Sequence, residues 1–592
     1  MSKAVASSLS AEDRQFNRNK WLFSVSGIGR DMSYQLIASF LLVYIQFGAT
    51  LNVAQFTTIS LIIGIAGRIW DAVNDPMMGA IIEGTHMKWG KFKPWILIGA
   101  VTCGAVIISM FNIPVSVSGW NFVVLMSVLY LLWETTFTMN DIGYWSMLAS
   151  LSSKKEQRNS ITMLTVMFAA LGAFIGQGGI SFLYPGNVRQ AFSWISIAVV
   201  VIFVAMQAMT AIFVKERPRA EAEQQTKVSL KHMWNTIRKN DQVLWMTLVM
   251  LFYNIGSSLL VALAYNLYYI EIGYDGQTII FIAIFGIVNI FANLMYPALE
   301  KRFTRKKLQN ASIIVTSIGY IGIALLGWTN ILPFELWTLS LFGVLVFGGQ
   351  AIYYVACIIN MTNCVEYNEY KRGERNEAVI STLRPFMAKF ADAMKYGIVT
   401  LVLAVSGVFL LSQNISTMET QKNYFARMED YTEKQNYITA VQGYLNGYDL
   451  DPEAADYAEQ IAEINKLLQQ DDVLSKYQIQ AEYLDALGDV RVAVDGTIST
   501  TLREFDATLV TQDNFNKVTL EITGQDFNAA NENFAEKGTL GMRLWLRACV
   551  SVVPMLLLVA SLIIQNKKFI IDEKYYDMML EEISKRNEGQ QA

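Results

Sequence analysis

Histidine is nearly absent from this chain of 592 residues: there are two, His86 and His232, both in polar stretches between apolar runs. That excludes a multi-histidine metal site, and it excludes imidazole chemistry within an apolar segment. Cysteine is scarce as well. Cys103, Cys357, Cys364 and Cys549 fall in or beside apolar stretches and read as packing residues, not as disulfides or metal ligands. Charge is thin, with Asp, Glu, Lys and Arg at 17% against 53% hydrophobic residues. Such a balance argues against a soluble domain and belongs to a polytopic membrane protein. A cleavable signal is not expected, because the first twenty residues are polar and the first apolar run is too long for a signal core.

What the chain does have is length of apolar sequence. Segments of about 20 mostly apolar residues recur about twelve times, beginning at Trp21, Val53, Pro94, Asn121, Ile161, Ala191, Leu244, Thr278, Leu308, Leu336, Val379 and Leu540. The net charge of −4 says little, but its distribution is informative. Basic residues crowd the amino terminus and alternate connections: Lys88 to Lys93, Lys154 to Arg158, Arg217 to Lys239, Lys301 to Lys307, Lys371 to Arg375, and the tail from Lys567. The short opposite loops hold Arg189 alone. By the positive-inside rule both termini are expected to be cytoplasmic. Arg543 and Arg547, at the outer end of the last span, run against that rule.

The expected organisation is an all-α membrane protein of two six-helix bundles. An N-terminal bundle (1–214) is joined by a cytoplasmic linker (215–242) to helices 7–11 (243–411). An insertion (412–539), helix 12 (540–566) and a cytoplasmic tail (567–592) follow. The basic loop HMKWGKFKPW after the second span has an echo, EKRFTRKKLQN, after the eighth. Paired halves of this kind are the pattern of major facilitator transporters. The insertion is acidic, with about twenty-three acids against about nine bases, and carries helical spacing in AADYAEQIAEINKLLQQ. It is expected to be a small, mainly helical, extracytoplasmic domain that caps the transport path without taking part in coupling.

Chemistry concentrates inside the apolar runs. In GRIWDAVNDPMMGAII, Asp71 and Asp75 stand four apart and share a helix face. An unpaired carboxylate among lipid tails is costly, so such acids line water-filled cavities and handle ions. Arg68 lies one turn earlier and Asn74 adds an amide oxygen. The four together read as a cation site, with an Arg68–Asp71 structural ion pair as the bland alternative. Glu134 and Asp141 share a stripe of the fourth span, and Trp145 lies one turn beyond Asp141. RPFMAKFADAMKYG puts Arg384, Lys389, Asp392 and Lys395 in one span, where Asp392 is placed to pair with Lys389 or Lys395.

RIWDAVNDPMMG followed by WGKFKPWILIG resembles the glycoside–pentoside–hexuronide:cation symporter family, the melibiose permease group of the major facilitator superfamily. The likeness runs from Trp21 to about Gly407 and resumes in the last span. It implies that Asp71, Asn74, Asp75 and Thr138 bind a co-transported cation, Na⁺ or H⁺, and that no other cofactor is needed. Carboxylate, amide and hydroxyl oxygens suit a hard cation. It further implies that Asp31, Asp141 and Trp145 hold sugar, by charge-assisted hydrogen bonds and by an indole face against a pyranose ring. Lys389 aligns with the family's lysine of the eleventh helix, Tyr354 stands where the melibiose type has tryptophan, and Asn363 replaces an acid. The fifth helix departs, with Val166 at the position of a sugar-contacting arginine. Arg384 is the expected substitute, and with Lys389 it would suit an acidic sugar such as a uronide. Arg68, Arg158, Glu366 and Arg375 are candidates for gating or structural ion pairs.

The function expected is a cation-coupled symporter for a glycoside, pentoside or hexuronide in the plasma membrane, with lipid and a monovalent cation as its other partners and no nucleic acid. A membrane sugar sensor with an outer ligand-binding domain is the alternative, although no signalling domain follows the last span. An enzyme is not expected: glycoside hydrolysis needs a selected pair of carboxylates, and no motif in the acidic insertion selects one.

Overall fold

A computed structural model describes residues 11–591 apart from 50, 85–86, 88, 152–154, 181–182, 185–186, 217–239, 274–277, 329–331, 374–376, 449–450, 452–453, 478 and 523–536. The apolar runs are helices: α1 (Ala11–Gly48), α2 (Val53–Leu61, a π turn at Ile62–Ala66, then Gly67–Glu83), α3 (Lys93–Phe111), α4 (Gly119–Ser150), α5 (Lys155–Phe174 with a π turn at Ile175–Gly179), α6 (Val188–Phe213), α7 (Asp241–Glu271), α8 (Thr278–Glu300), α9 (Arg305–Leu325), α10 (Leu336–Arg372) and α11 (Glu377–Ser406). From α2 onward each starts within six residues of the expected position, the widest gap being Lys155 against Ile161. Among the described residues nine helices are long and apolar enough to cross a membrane, or ten if one bent pair is a single span.

Packing separates two groups. Helix α1 lies against α5 and α6, and α3 against α4 and α6. In the other group α7 lies against α10, α11 and the last long helix, and α9 against α10. The seam between them is bridged where α11 meets α2 and where α8 meets the π turn of α5. The basic loop before α3 is set by Gly90, whose φ of +132° suits glycine and leaves room for Glu216; a Cβ there would lie 2.8 Å from its Oε1. The Glu216 carboxylate accepts from the backbone N–H groups of Lys91, Phe92 and Lys93 at 2.9, 3.2 and 2.9 Å, capping the start of α3 with negative charge.

The chain leaves the bundle earlier than expected. Helix α11 stops at Ser406, Gly407 adopts φ +77°, and α12 (Val408–Ala426) sets off at 88°. So the break falls at 407 and not at 411. Helices α13 (Tyr431–Gly447) and α14 (Tyr457–Gln470) continue the insertion. A feature absent from the helical expectation follows: a three-stranded antiparallel sheet in order β2-β1-β3, from β1 (Arg491–Val494), β2 (Thr497–Thr501) and β3 (Thr519–Glu521). Its RVAV and TIST segments flank the turn Asp495-Gly496, both in the left-handed region, a DG hairpin signal.

Helix α12 does not stand clear of the bundle. Phe409 packs on Phe56 of α2 at 4.5 Å between ring centroids, and Gln413 Nε2 donates to the Gln46 carbonyl of α1 at 3.1 Å. On the other side of the seam, Tyr269 of α7 donates its hydroxyl to Glu419 Oε2 at 2.7 Å. The insertion is thus tied to both helix groups through its first helix.

The last long helix, α15, runs as Leu540–Arg547, a π turn at Ala548–Val552, and Val553–Lys568. Here Arg543 and Arg547 find their reason. Arg543 Nη1 and Arg547 Nε lie 2.9 and 2.6 Å from the two oxygens of Glu271, whose side chain is 0% exposed. Arg547 also donates to the Leu326 and Ala324 carbonyls at the end of α9. A final helix, α16 (Glu573–Gln591), folds back on α10, and Arg586 donates to the Glu369 and Tyr370 carbonyls. The expected tail is therefore part of the packed structure.

Candidate functional site

Asp31, Asp141 and Trp145 come together, and a residue missed in the sequence is what joins them. Arg30 is 5% exposed. Its Nε and Nη2 donate to Asp31 Oδ2 at 3.1 and 2.6 Å, its Nη1 bonds Asp141 Oδ1, and its guanidinium carbon lies 4.7 Å from the Trp145 ring centroid. A planar fork with five donors suits two carboxylates and one aromatic face at once. The signal was present as GRD, but a charge beside Asp31 in sequence was not recognised as pointing across to α4. Val166 is 48% exposed on α5, and the cation seen among Asp31, Asp141 and Trp145 is Arg30 of α1.

The cluster is held from behind. Tyr144 stacks on Phe23 at 4.2 Å and donates to the Phe23 carbonyl at 2.7 Å, fixing α4 against α1. Asn140 donates to the Ile96 carbonyl at 2.7 Å and to Gln207 Oε1 at 3.3 Å, and Gln207 donates to the Ser26 carbonyl at 3.0 Å. Polar groups inside a helix bundle that find partners in this way lock helix rotation, so Asp141 and Trp145 are presented on a fixed face.

A second cluster lies on α2, α4 and α11. Arg68 Nη1 donates to Asp71 Oδ2 at 2.9 Å, and Glu134 Oε1 lies 4.0 Å from the same nitrogen. Tyr130 donates to Glu134 Oε1 at 2.6 Å, so Glu134 belongs to the ion-pair network of Arg68. Thr138 Oγ1 donates to Asp75 Oδ1 at 3.3 Å, and Asn74 Nδ2 to the Glu134 carbonyl at 3.4 Å. The Lys389 ammonium stands between the acids, 3.4 Å from Asp71 Oδ2 and 3.3 Å from Asp75 Oδ2. Two buried oxygens, Asp71 Oδ1 and Asn74 Oδ1, have no hydrogen-bond partner among the described residues. Oxygen acceptors of this kind are the donor type a hard monovalent cation takes, and Asp71, Asn74, Asp75 and Thr138 are the residues that would hold one. The ion-pair alternative for Arg68 and Asp71 is also realised, since Asp71 serves both cations.

Other candidates are placed elsewhere. Lys389 sits on the α2 carboxylates, not on the Arg30 cluster. Asp392 pairs with Lys395 at 2.9 Å. Tyr354 stacks on Tyr253 of α7, with centroids 5.1 Å apart and planes 16° apart, away from Asp31 and Asp141. Glu366 is on α10, beside Tyr367, whose hydroxyl donates to Asp241 Oδ1 at 3.1 Å. Arg384 lies on α11, but its side chain is outside the described structure, as are the side chain of Arg158 and all of Arg375.

The chain is similar to known carriers. It is 26% identical over 425 residues to the lactose permease of Leuconostoc lactis, covering 67% of this chain and 64% of the permease. It is 27% identical over 414 residues to the raffinose carrier protein of Pediococcus pentosaceus, covering 65% and 62%. The matched region thus spans just under two thirds of these relatives, which are named as a permease and a carrier and not as enzymes. A bacterial homologue of the human lysosomal transporter Spinster, solved inward-facing and unoccupied, has a TM-score of 0.54 at 11% identity, covering 94% of this chain and 97% of that one. At that identity the likeness bears on the fold alone: a helical major facilitator fold. With the profile of the MFS/sugar transport protein family matching residues 22–426, well over half its length, the chain is an integral membrane protein belonging to that family, in its melibiose-permease-like group.

Proposed function

We propose that the protein is a cation-coupled sugar symporter working by alternating access. The observation that carries this reading is the pair of carboxylate clusters: one between α1 and α4, gathered around Arg30 with an indole face, the other on α2, gathered around Lys389 of α11 with spare oxygens. The first has what a sugar needs. Asp31 and Asp141 accept hydrogen bonds from hydroxyls, Trp145 offers a ring face, and Arg30 holds the two acids in place. The second has what a small cation needs, and it spans the seam, because Lys389 comes from α11 while Asp71 and Asp75 come from α2. A cation entering between the acids replaces the ammonium and releases α11 from α2. Ion binding is thereby coupled to relative movement of the two helix groups, and sugar binding to the same state completes the coupling.

Arg30 faces two acids and Lys389 faces two more. In this reading twelve spans form two six-helix bundles, the basic loops and both termini face the cytoplasm, the insertion lies outside, and the membrane is the plasma membrane. No observation in the structure favours the sensor. The test is uptake of labelled glycosides into vesicles under an imposed Na⁺ or proton gradient. Transient accumulation above equilibrium is expected; equilibration that ignores the gradient overturns coupling, and no uptake of any sugar overturns the reading.

A further inference from the structure

The basic loop EKRFTRKKLQN, echo of the loop before α3, takes no part in either cluster. It joins α8 to α9, and beside it opens a groove of about 510 Å³. Helices α8 and α9 each pack along α10 but scarcely touch one another, so a gap remains between them with α10 as its floor. Small residues make the gap deep: Gly348 and Gly349 on α10, Ala311 and Ser312 on α9. Leu299 and Phe303, at the end of α8, close one side with apolar surface. The hydroxyl of Ser312 is already engaged, donating to the Gln309 carbonyl at 2.9 Å. Walls of this kind offer a sugar or a bare ion nothing to replace its water.

One end of the groove is charged. Lys307, in the first turn of α9, is itself a wall residue, and Lys306 precedes it. Lys301 and Arg302 stand in the turn between the wall residues Leu299 and Phe303. All of these cations are exposed, and none makes an ion pair among the described residues. The acids nearby are taken up by Arg305: Glu300 Oε1 lies 3.9 Å from its Nε, and Glu573 Oε1 accepts from its backbone N–H at 2.7 Å. The turn is held in shape, because the N–H groups of Arg302 and Phe303 both donate to the Leu299 carbonyl at 3.0 Å. Lys307 and Val315, both in the wall, are eight residues apart on α9, roughly 12 Å of helix. The groove therefore runs from the basic turn into the apolar part of the helices. Positive charge at the mouth of an apolar trough is the complement of an anionic headgroup with an acyl chain, and basic pockets between membrane helices bind such headgroups. A second copy of this chain is a poorer occupant, since a two-fold contact on this face would bring the same cations together.

We propose that the groove between α8 and α9 binds an anionic phospholipid, one acyl chain lying over Gly348 and Ala311 and the phosphate among Lys301, Arg302, Lys306 and Lys307. The proposal needs only that the chain is an integral membrane protein, and it is independent of what the chain carries. A lipid seated there fills the gap between α8 and α9 and braces their basic ends against α10.

The experiment is native mass spectrometry of the full chain in detergent, titrated with dioleoyl phosphatidylglycerol or dioleoyl phosphatidylcholine, with the thermal midpoint followed in parallel. The parent should hold phosphatidylglycerol about tenfold more tightly than phosphatidylcholine or better, and its midpoint should rise as the anionic lipid binds. Arg302→Gln combined with Lys307→Gln should weaken phosphatidylglycerol by about thirtyfold, the loss of two basic contacts of the size met at an anionic membrane surface, and change phosphatidylcholine little. Lys567→Gln combined with Lys574→Gln removes as much charge from exposed positions of the tail and should leave both lipids as in the parent. Gly348→Leu and Ala311→Phe fill the groove and should weaken phosphatidylglycerol as well. A Cβ at 348 meets only Val288 Cγ1, at 3.5 Å, so the first of these should fold. Midpoints equal to the parent without added lipid show that it has, and the exposed charge pair decides the matter if a groove-filling variant does not fold. Glycerol 3-phosphate, a headgroup without chains, should not displace the lipid. The site is overturned by a parent that does not prefer phosphatidylglycerol, or by equal losses from the loop pair and the tail pair. It is overturned too by unchanged binding in folded groove-filling variants, by displacement with glycerol 3-phosphate, or by a parent dimer that the groove-filling variants abolish.

Discussion

Arg30 is the residue that joins the cluster proposed to hold sugar. Its guanidinium is shared by Asp31 and Asp141. Arg30→Lys keeps one charge but cannot reach two carboxylates and an indole with a single ammonium. Sugar affinity should fall by about ten- to a hundredfold, as expected when one charge-assisted contact of roughly 1.5–3 kcal/mol is lost. Asp141→Asn should fall by a similar factor. The check is sugar binding to the purified variants by calorimetry, and affinities equal to the parent would remove Arg30 from the site. In the second cluster, Asp75→Asn removes the charge that a cation would meet and that Lys389 meets now. Accumulation against a gradient should vanish while sugar exchange persists. Vesicle uptake with and without the gradient separates the two, and undiminished accumulation sinks the cation assignment.

The carboxylates and Trp145 were legible in the sequence because an ionised group in an apolar run has few innocent explanations. Arg30 was not, since adjacency to Asp31 in the chain says nothing about the reach to α4. Lys389 shows the same limit. The sequence marks it as an intramembrane cation, but only packing of α11 on α2 selects Asp71 and Asp75 over Asp392 as its partners.

At the scale of elements, the starts of the long helices from α2 onward were readable from hydropathy to within six residues, whereas α1 begins at Ala11, ten residues before its apolar run. What could not be read is how the ends are fastened. Arg543 and Arg547 conflict with the charge rule when counted as loop residues, and the conflict disappears once both are seen on Glu271, buried at the end of α7. Glu271→Gln removes the carboxylate that both buried arginines meet. Removing one partner of a buried ion pair costs about 3–5 kcal/mol, so the variant should be poorly folded, with a sharply lowered thermal midpoint in detergent. Glu271→Asp, with the charge kept on a shorter stem, should lose less. Equal midpoints for the parent and Glu271→Gln would show that the triad carries no structural weight.

For the whole molecule, the insertion is the part whose contacts with the bundle were not foretold by the sequence. Acid content and helical spacing in the chain pointed to a separate cap, and nothing in them foretold that α12 would lie across the seam with Gln413 on α1, Phe409 on α2 and Glu419 on α7. Any movement that opens the two helix groups at that end must break or carry these contacts. The rest of the insertion follows α12, and its Tyr437, Ile464 and Val492 are buried in a core continuous with that of the bundle. Two deletions therefore should differ. Replacing 428–536 by a short Gly/Ser linker keeps α12 on the seam and joins its end to α15, so gradient-driven uptake should remain measurable. Gln413→Ala combined with Glu419→Gln leaves the insertion whole but weakens its hold on α1 and α7. If α12 restrains opening, this double variant should change the rate of uptake, while the deletion changes mainly the apparent KM. Stopped-flow uptake in vesicles distinguishes rate from affinity. A deletion variant that inserts correctly yet carries nothing, beside a double variant indistinguishable from the parent, would place the mechanical role in the globular part of the insertion and not in the helix that ties it to the bundle.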